Sequence, residues 1–82
     1  MRREERKEDF REQYRLLGIR IAYYRKLRNL TQEQLAERVG CSWSFISQIE
    51  ANNGNRIHAP SLYTIFSLAK ALEVPVSKLF EE

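Results

Sequence analysis

Cysteine, histidine, aspartate and glycine are all scarce in this 82-residue chain, and their scarcity removes several classes of function. A single cysteine, Cys41, forbids an internal disulfide and a cysteine-based zinc site. The one histidine, His58, and the one aspartate, Asp9, stand far in sequence from Cys41 and from each other. That inventory offers no nucleophile–base pair and no metal cluster, and it predicts a protein that is not an enzyme and carries no metal or cofactor. The three glycines, Gly18, Gly40 and Gly54, lack a phosphate-cradling spacing. No apolar run approaches the roughly 20 residues of a membrane span, and the charged amino terminus is unlike a signal peptide. A soluble, cytoplasmic protein is expected. Without disulfide or metal, so short a chain must draw its stability from helix packing or from dimerisation.

What is present is a modest apolar content, 43%, and an uneven charge. Residues 1–30 carry ten Lys or Arg against five acids, a net of +5, whereas residues 31–82 carry four against six, a net of −2. A basic first third suits a polyanionic partner, although a solvated charged helix gives much the same count.

Residues 1–9 are almost wholly charged and form an amino-terminal extension, with opposite charges paired at Glu4–Lys7 and Glu8–Arg11. The domain proper is residues 10–82. Phe10, Tyr14, Leu17, Ile21 and Tyr24 step at helical spacing along one face of a first helix that Asn29 ends. Thr31-x-x-Gln34 reads as a capping box ahead of Leu35, Ala36 and Val39, and Gly40 stops that second helix. Ser42 caps a third, with Ile46 and Ile49 inward. Ala51–Ala59, rich in Asn and Gly, reads as a loop in which His58 is a surface residue. Pro60-Ser61 opens a fourth helix with Leu62, Ile65, Leu68, Ala69 and Leu72 on its buried stripe. Val74-Pro75 breaks the chain before a short fifth helix over Val76–Phe80. The expected fold is all-α, with five helices and no strand.

Two short helices joined through a glycine, with the small Ala36 where they approach, make a helix-turn-helix, whose second helix can enter the DNA major groove. The wider pattern is more specific. Leu30-Thr31-Gln32-Glu33-Gln34-Leu35-Ala36, Ile46-Ser47-Gln48-Ile49-Glu50 and Pro60-Ser61-Leu62 closely resemble the phage-repressor or Cro-type family, also called the xenobiotic-response-element family. The resemblance spans about Leu17–Phe80. It implies a five-helix, lambda-repressor-like domain that binds operator DNA, usually as a homodimer. Three features depart from the family: a longer loop after Glu50, Glu73 where a helix-ending glycine is usual, and an extended first helix that begins at Phe10 and Tyr14.

On the third helix, Ser44 and Gln48 point furthest from the Ile46–Ile49 face, flanked by Trp43 and Phe45. By resemblance these four face the major groove. Gln48 suits a bidentate contact to adenine, Ser44 a base or phosphate, and the two aromatics thymine methyls. The bland alternative folds Trp43 and Phe45 back over helix edges. The helix carries no Lys or Arg, so phosphate contacts fall to Gln32 at the start of the second helix and to Asn52, Asn53 and Arg56 in the following loop. Arg25 and Glu50 match a family ion pair between the first and third helices. Leu16, Ile19, Tyr23 and Leu27 form a second apolar stripe on the first helix, expected to be a dimer contact unless later elements of the chain cover it. Cys41 reads as a packing residue. The Arg2–Lys7 stretch would serve as a DNA arm but for Glu4, Glu5, Glu8 and Asp9.

Together these features predict a sequence-specific transcriptional regulator without an effector domain, bound as a dimer to a near-palindromic operator, a repressor that blocks polymerase, with activation by touching polymerase as the alternative. The rival is a protein-interaction module, antitoxin-like, that keeps the fold. The uncharged third helix and the negative balance of residues 31–82 favour that rival.

Overall fold

A computed structural model describes residues 10–51 and 57–81. Among them are four α-helices, α1 (Arg11–Leu27), α2 (Gln32–Val39), α3 (Trp43–Glu50) and α4 (Leu62–Leu72), then a 3-10 turn, Val76–Leu79, and no strand. The domain is therefore all-helical, as the sequence predicts, but its fifth element is not an α-helix. Its N–H groups reach back three residues, Lys78 to the Pro75 carbonyl and Phe80 to that of Ser77. Four residues after a proline are too few for α-helical pairing to propagate.

Each cap signal in the sequence is realised. Thr31 Oγ1 accepts from the Gln34 N–H at 3.0 Å while Gln34 Oε1 accepts from the Thr31 N–H at 2.8 Å, a complete capping box. Ser42 and Ser61 cap α3 and α4 through the N–H groups of Phe45 and Thr64. Gly40 closes α2 with φ of 84°, and Asn29, past the end of α1, takes φ of 59°. On the exposed side of α1, Arg15 pairs with Glu12 at 2.8 Å and holds that carboxyl below its usual range, the i,i+3 pattern foreseen for Glu4–Lys7 and Glu8–Arg11. Of those two pairs Glu4, Lys7 and Glu8, like the Arg2–Lys7 arm, lie outside the described residues.

The core is built from Ile21, Leu35, Ile46, Ile49, Leu68, Leu72 and Leu79, all fully buried, with Leu17, Leu30, Ala36, Ile65 and Ala69 around them. α2 packs on α3 and α4, α1 on α3, and the 3-10 turn on α4 and α1. Two expected core positions are corrected. Leu62 is 70% exposed, because it opens α4 one turn before the residues that reach α2 and the 3-10 turn. Phe10 precedes the first turn of α1 and is also exposed, so the inward face begins at the half-buried Tyr14. After the loop, Ile57 is buried and His58 is half-buried rather than on the open surface, so the segment leading to α4 lies against the domain.

Glu73 ends α4 with φ of 61°, a left-handed conformation that costs a side-chain-bearing residue about 1 kcal/mol. Arg28 offsets part of that cost. Its Nε donates to the Leu72 carbonyl at 2.8 Å and Nη2 to the Glu73 carbonyl at 3.0 Å, placing a cation at the negative end of the helix. Glu73→Gly keeps both acceptors and relieves the strain. It is expected to raise stability by up to about 1 kcal/mol, read as a melting temperature higher by roughly 4–8 °C.

Candidate nucleic-acid interface

The α2–α3 unit is fastened to the core from three sides. At the turn, the N–H groups of Gly40 and Cys41 both bond the Ala36 carbonyl, at 2.8 and 3.0 Å. Cys41 is half-buried against the core, and that burial pushes its thiol up from its ordinary value, so it stays protonated and serves packing. Beneath α3, Ile46 and Ile49 have no exposed surface. Behind it, Gly18 of α1 meets the last turn of α3 so closely that a Cβ there would collide with the Ile49 carbonyl oxygen and lie 3.3 Å from the Glu50 Cα. A glycine in a helix interior costs about 1 kcal/mol relative to alanine, and here the close helix approach requires it.

The expected ion pair is present. Arg25 Nε and Nη2 donate to the two carboxylate oxygens of Glu50 at 2.8 and 3.0 Å, and Nη1 donates to the Leu30 carbonyl at 2.8 Å. The side chains are 11% and 6% exposed. The bonding continues outward: Gln32 Nε2 donates to Glu50 Oε1 at 2.9 Å, and Trp43 Nε1 donates to Gln32 Oε1 at 3.1 Å. One chain of hydrogen bonds thus runs from the buried end of α1, through the first turn of α2, to the first residue of α3.

On the outer face of α3 the structure brings together Trp43, Ser44 and Gln48, all exposed. Phe45, by contrast, is half-buried and packs against the core, so it offers less to a ligand than its neighbours. Gln32 is at the edge of this face, with its side-chain amide turned into the network. Asn52, Asn53 and Arg56 lie outside the described residues. On α1, Ile19, Tyr23 and Leu27 are each about half-exposed and Leu16 half-buried, so no described element covers that stripe.

With this geometry in place, comparison with known proteins identifies the architecture. A helix-turn-helix family model matches residues 21–79. The chain belongs to the helix-turn-helix family. Its relatives place it in the phage-repressor branch. The immunity repressor of Bacillus phage phi105 is 42% identical over 66 residues, which are 80% of this chain and 43% of the repressor. The chain therefore spans less than half the length of that relative. Among solved structures, the restriction-modification controller protein C.AhdI from Aeromonas hydrophila superposes with a TM-score of 0.72 at 31% identity, covering 82% of this chain and 96% of the controller. SinR, a master regulator for biofilm formation solved in complex with DNA, gives 0.69 at 32% identity, covering 79% of this chain and 98% of the SinR chain in that complex. In the helix-turn-helix frame α2 takes the place of the first helix and α3 that of the second, the one such motifs lay in the major groove.

Three residues of this helix-turn-helix domain were not marked by sequence pattern as functional supports: Gly18, Arg28 and, as the link between Trp43 and Glu50, the Gln32 amide. Gly18 alone left a signal, as a glycine inside a helix.

Proposed function

We propose that this chain regulates transcription by binding a near-palindromic operator as a dimer, with α3 as the recognition helix. The observation that carries this is the exposed outer face of α3, where Ser44 and Gln48 offer hydrogen-bonding groups and Trp43 an apolar ring, fixed to the core by the buried Arg25–Glu50 pair. Gln48 suits a bidentate contact to adenine, Ser44 a base or phosphate, and Phe45 adds only the part of its ring left exposed. With the Gln32 amide occupied, its phosphate contact falls to its backbone N–H, which the first turn of a helix leaves without an intrahelical acceptor. Asn52, Asn53 and Arg56 would add phosphate contacts from the loop. Covering a promoter suffices for repression. The dimer contact is the α1 stripe of Leu16, Ile19, Tyr23 and Leu27, whose burial on two subunits, at about 25 cal/mol per Å2, supports a modest association that a two-site DNA aligns.

Nuclease protection of the DNA upstream of the chain's own gene tests this. Two protected half-sites about one helical turn apart are expected, with affinity falling steeply as salt rises. Gln48→Ala should relax preference at one base position per half-site, at about 1–3 kcal/mol on the best site. An unchanged selection profile for Gln48→Ala would refute the assigned register of α3. Binding indifferent to salt would favour the protein-partner reading, to which the exposed Leu62, Tyr63 and Phe66 of α4 give a second apolar surface. Tyr23→Glu should yield a folded monomer by light scattering and circular dichroism, with greatly weakened operator binding. Phe66→Glu should leave the dimer intact; the reverse pattern would move the interface to α4.

A further inference from the structure

Trp43, the chain's single tryptophan, stands at the first position of α3 with half its surface exposed. An indole has one polar group, its N–H, and here that group is already used on Gln32. The direction of that bond is set from inside the domain. A carboxylate only accepts, so Gln32 must turn its NH2 toward Glu50, and its carbonyl oxygen is then left for the indole. Arg25, gripping both Glu50 oxygens, holds the carboxylate in place. With its N–H so engaged, the indole ring offers a ligand only its carbon atoms, oriented by three residues behind it.

In the major groove the one apolar feature of a base pair is the 5-methyl group of thymine; the remaining features are hydrogen-bond donors and acceptors. We propose that Trp43 is a methyl-reading residue, recognising the 5-methyl group of a pyrimidine in each half-site, with Gln32 and Glu50 as its positioning residues. This rests on the operator-binding function proposed above. With its N–H committed, Trp43 has no means of sensing whether the same ring bears the O4 acceptor of thymine or the N4 amino group of cytosine. The group it recognises is the methyl, so 5-methylcytosine satisfies it as thymine does, whereas uracil and unmodified cytosine do not. Were the ring only a cover for the edge of α3, the methyl would be irrelevant.

The test begins with the full chain and a random-sequence duplex pool. The best selected site is resynthesised with each thymine replaced in turn by deoxyuridine, and affinity is followed by titration of the tryptophan fluorescence and by gel shift. One thymine per half-site is expected whose replacement weakens binding about fourfold, the worth of a single buried methyl. At that position 5-methylcytosine paired with guanine should bind better than cytosine by a similar factor. Trp43→Ala, folded by circular dichroism, should bind the thymine and deoxyuridine sites alike, while Trp43→Phe, which keeps an apolar ring, retains most of the discrimination. Gln32→Leu should reduce the thymine-to-deoxyuridine ratio, a readout that a general loss of phosphate contact leaves unchanged. Indifference to deoxyuridine at every thymine, or discrimination that persists in Trp43→Ala, would overturn the proposal while leaving operator binding intact. Failure to enrich any site would instead overturn operator binding, and this proposal with it.

Discussion

Arg25→Met is expected to destabilise the domain by about 3–5 kcal/mol, because it strands the Glu50 carboxylate in a site that is almost fully enclosed. Gln32 would remain as one donor to that carboxylate, and the Leu30 carbonyl would lose the Arg25 bond. For a domain of this size, whose total stability is about 4–12 kcal/mol, the loss corresponds to a melting temperature lower by roughly 15 °C or more. The double variant Arg25→Met, Glu50→Leu should recover much of that stability, since an apolar pair of similar volume avoids the desolvation of two charges. It should not recover base selectivity, because Gln32 then has no carboxylate to fix its amide. Thermal unfolding beside binding-site selection separates these two effects. A double variant that regained the wild-type selection profile would show that the ion pair acts through stability alone.

Gly18→Ala is the second large effect. On an exposed helix surface this change is worth about 1 kcal/mol in favour of alanine. Here the added methyl meets backbone atoms of α3, the Ile49 carbonyl oxygen first and its carbon at 3.2 Å, and backbone cannot swing aside as a flexible side chain can. α1 and α3 must separate, loosening Leu17 and Ile21 from Ile46 and Ile49 and lengthening the Arg25–Glu50 bonds. A net loss of about 2–3 kcal/mol is expected in chemical denaturation, together with weaker operator binding even where the domain stays folded. A variant as stable as the parent would mean that α1 and α3 can part without cost.

Arg25, Glu50 and Gly18 differ in how openly the sequence announces them. Arg25 and Glu50 were identifiable through resemblance, since their spacing accompanies a recognisable motif. The cap at Thr31, the turn at Gly40 and the core residues of α2 and α3 were legible from local chemistry, because caps and helical periodicity are short-range properties. Tertiary relations were not. Nothing in the neighbourhood of Gly18 announces that a carbonyl from thirty-one residues later lies against it. Leu62 has the periodicity of a buried residue, and only its place in the first turn of α4 exposes it. Phe45 and Trp43 are both large and flank the same polar residues, but one packs inward and the other reaches Gln32. The short helix foreseen at 76–80 has the composition of a helix and too little length to be an α-helix.

The grip of Arg28 on the end of α4 bears on the order in which the chain can fold. Its two acceptors, the carbonyls of Leu72 and Glu73, are synthesised 44 and 45 residues after it. The capping box of α2, the glycine turn and the Ser42 cap need only near neighbours, so the α2–α3 hairpin can form as soon as it is made. α1 can dock next, once Glu50 exists to meet Arg25. α4 and the 3-10 turn come last, and the contacts that bring them onto α1 span the greatest sequence separation, the kind that slows folding most. A nascent chain halted before residue 62 would have its helix-turn-helix residues and still lack α4, the wall against which α2 packs.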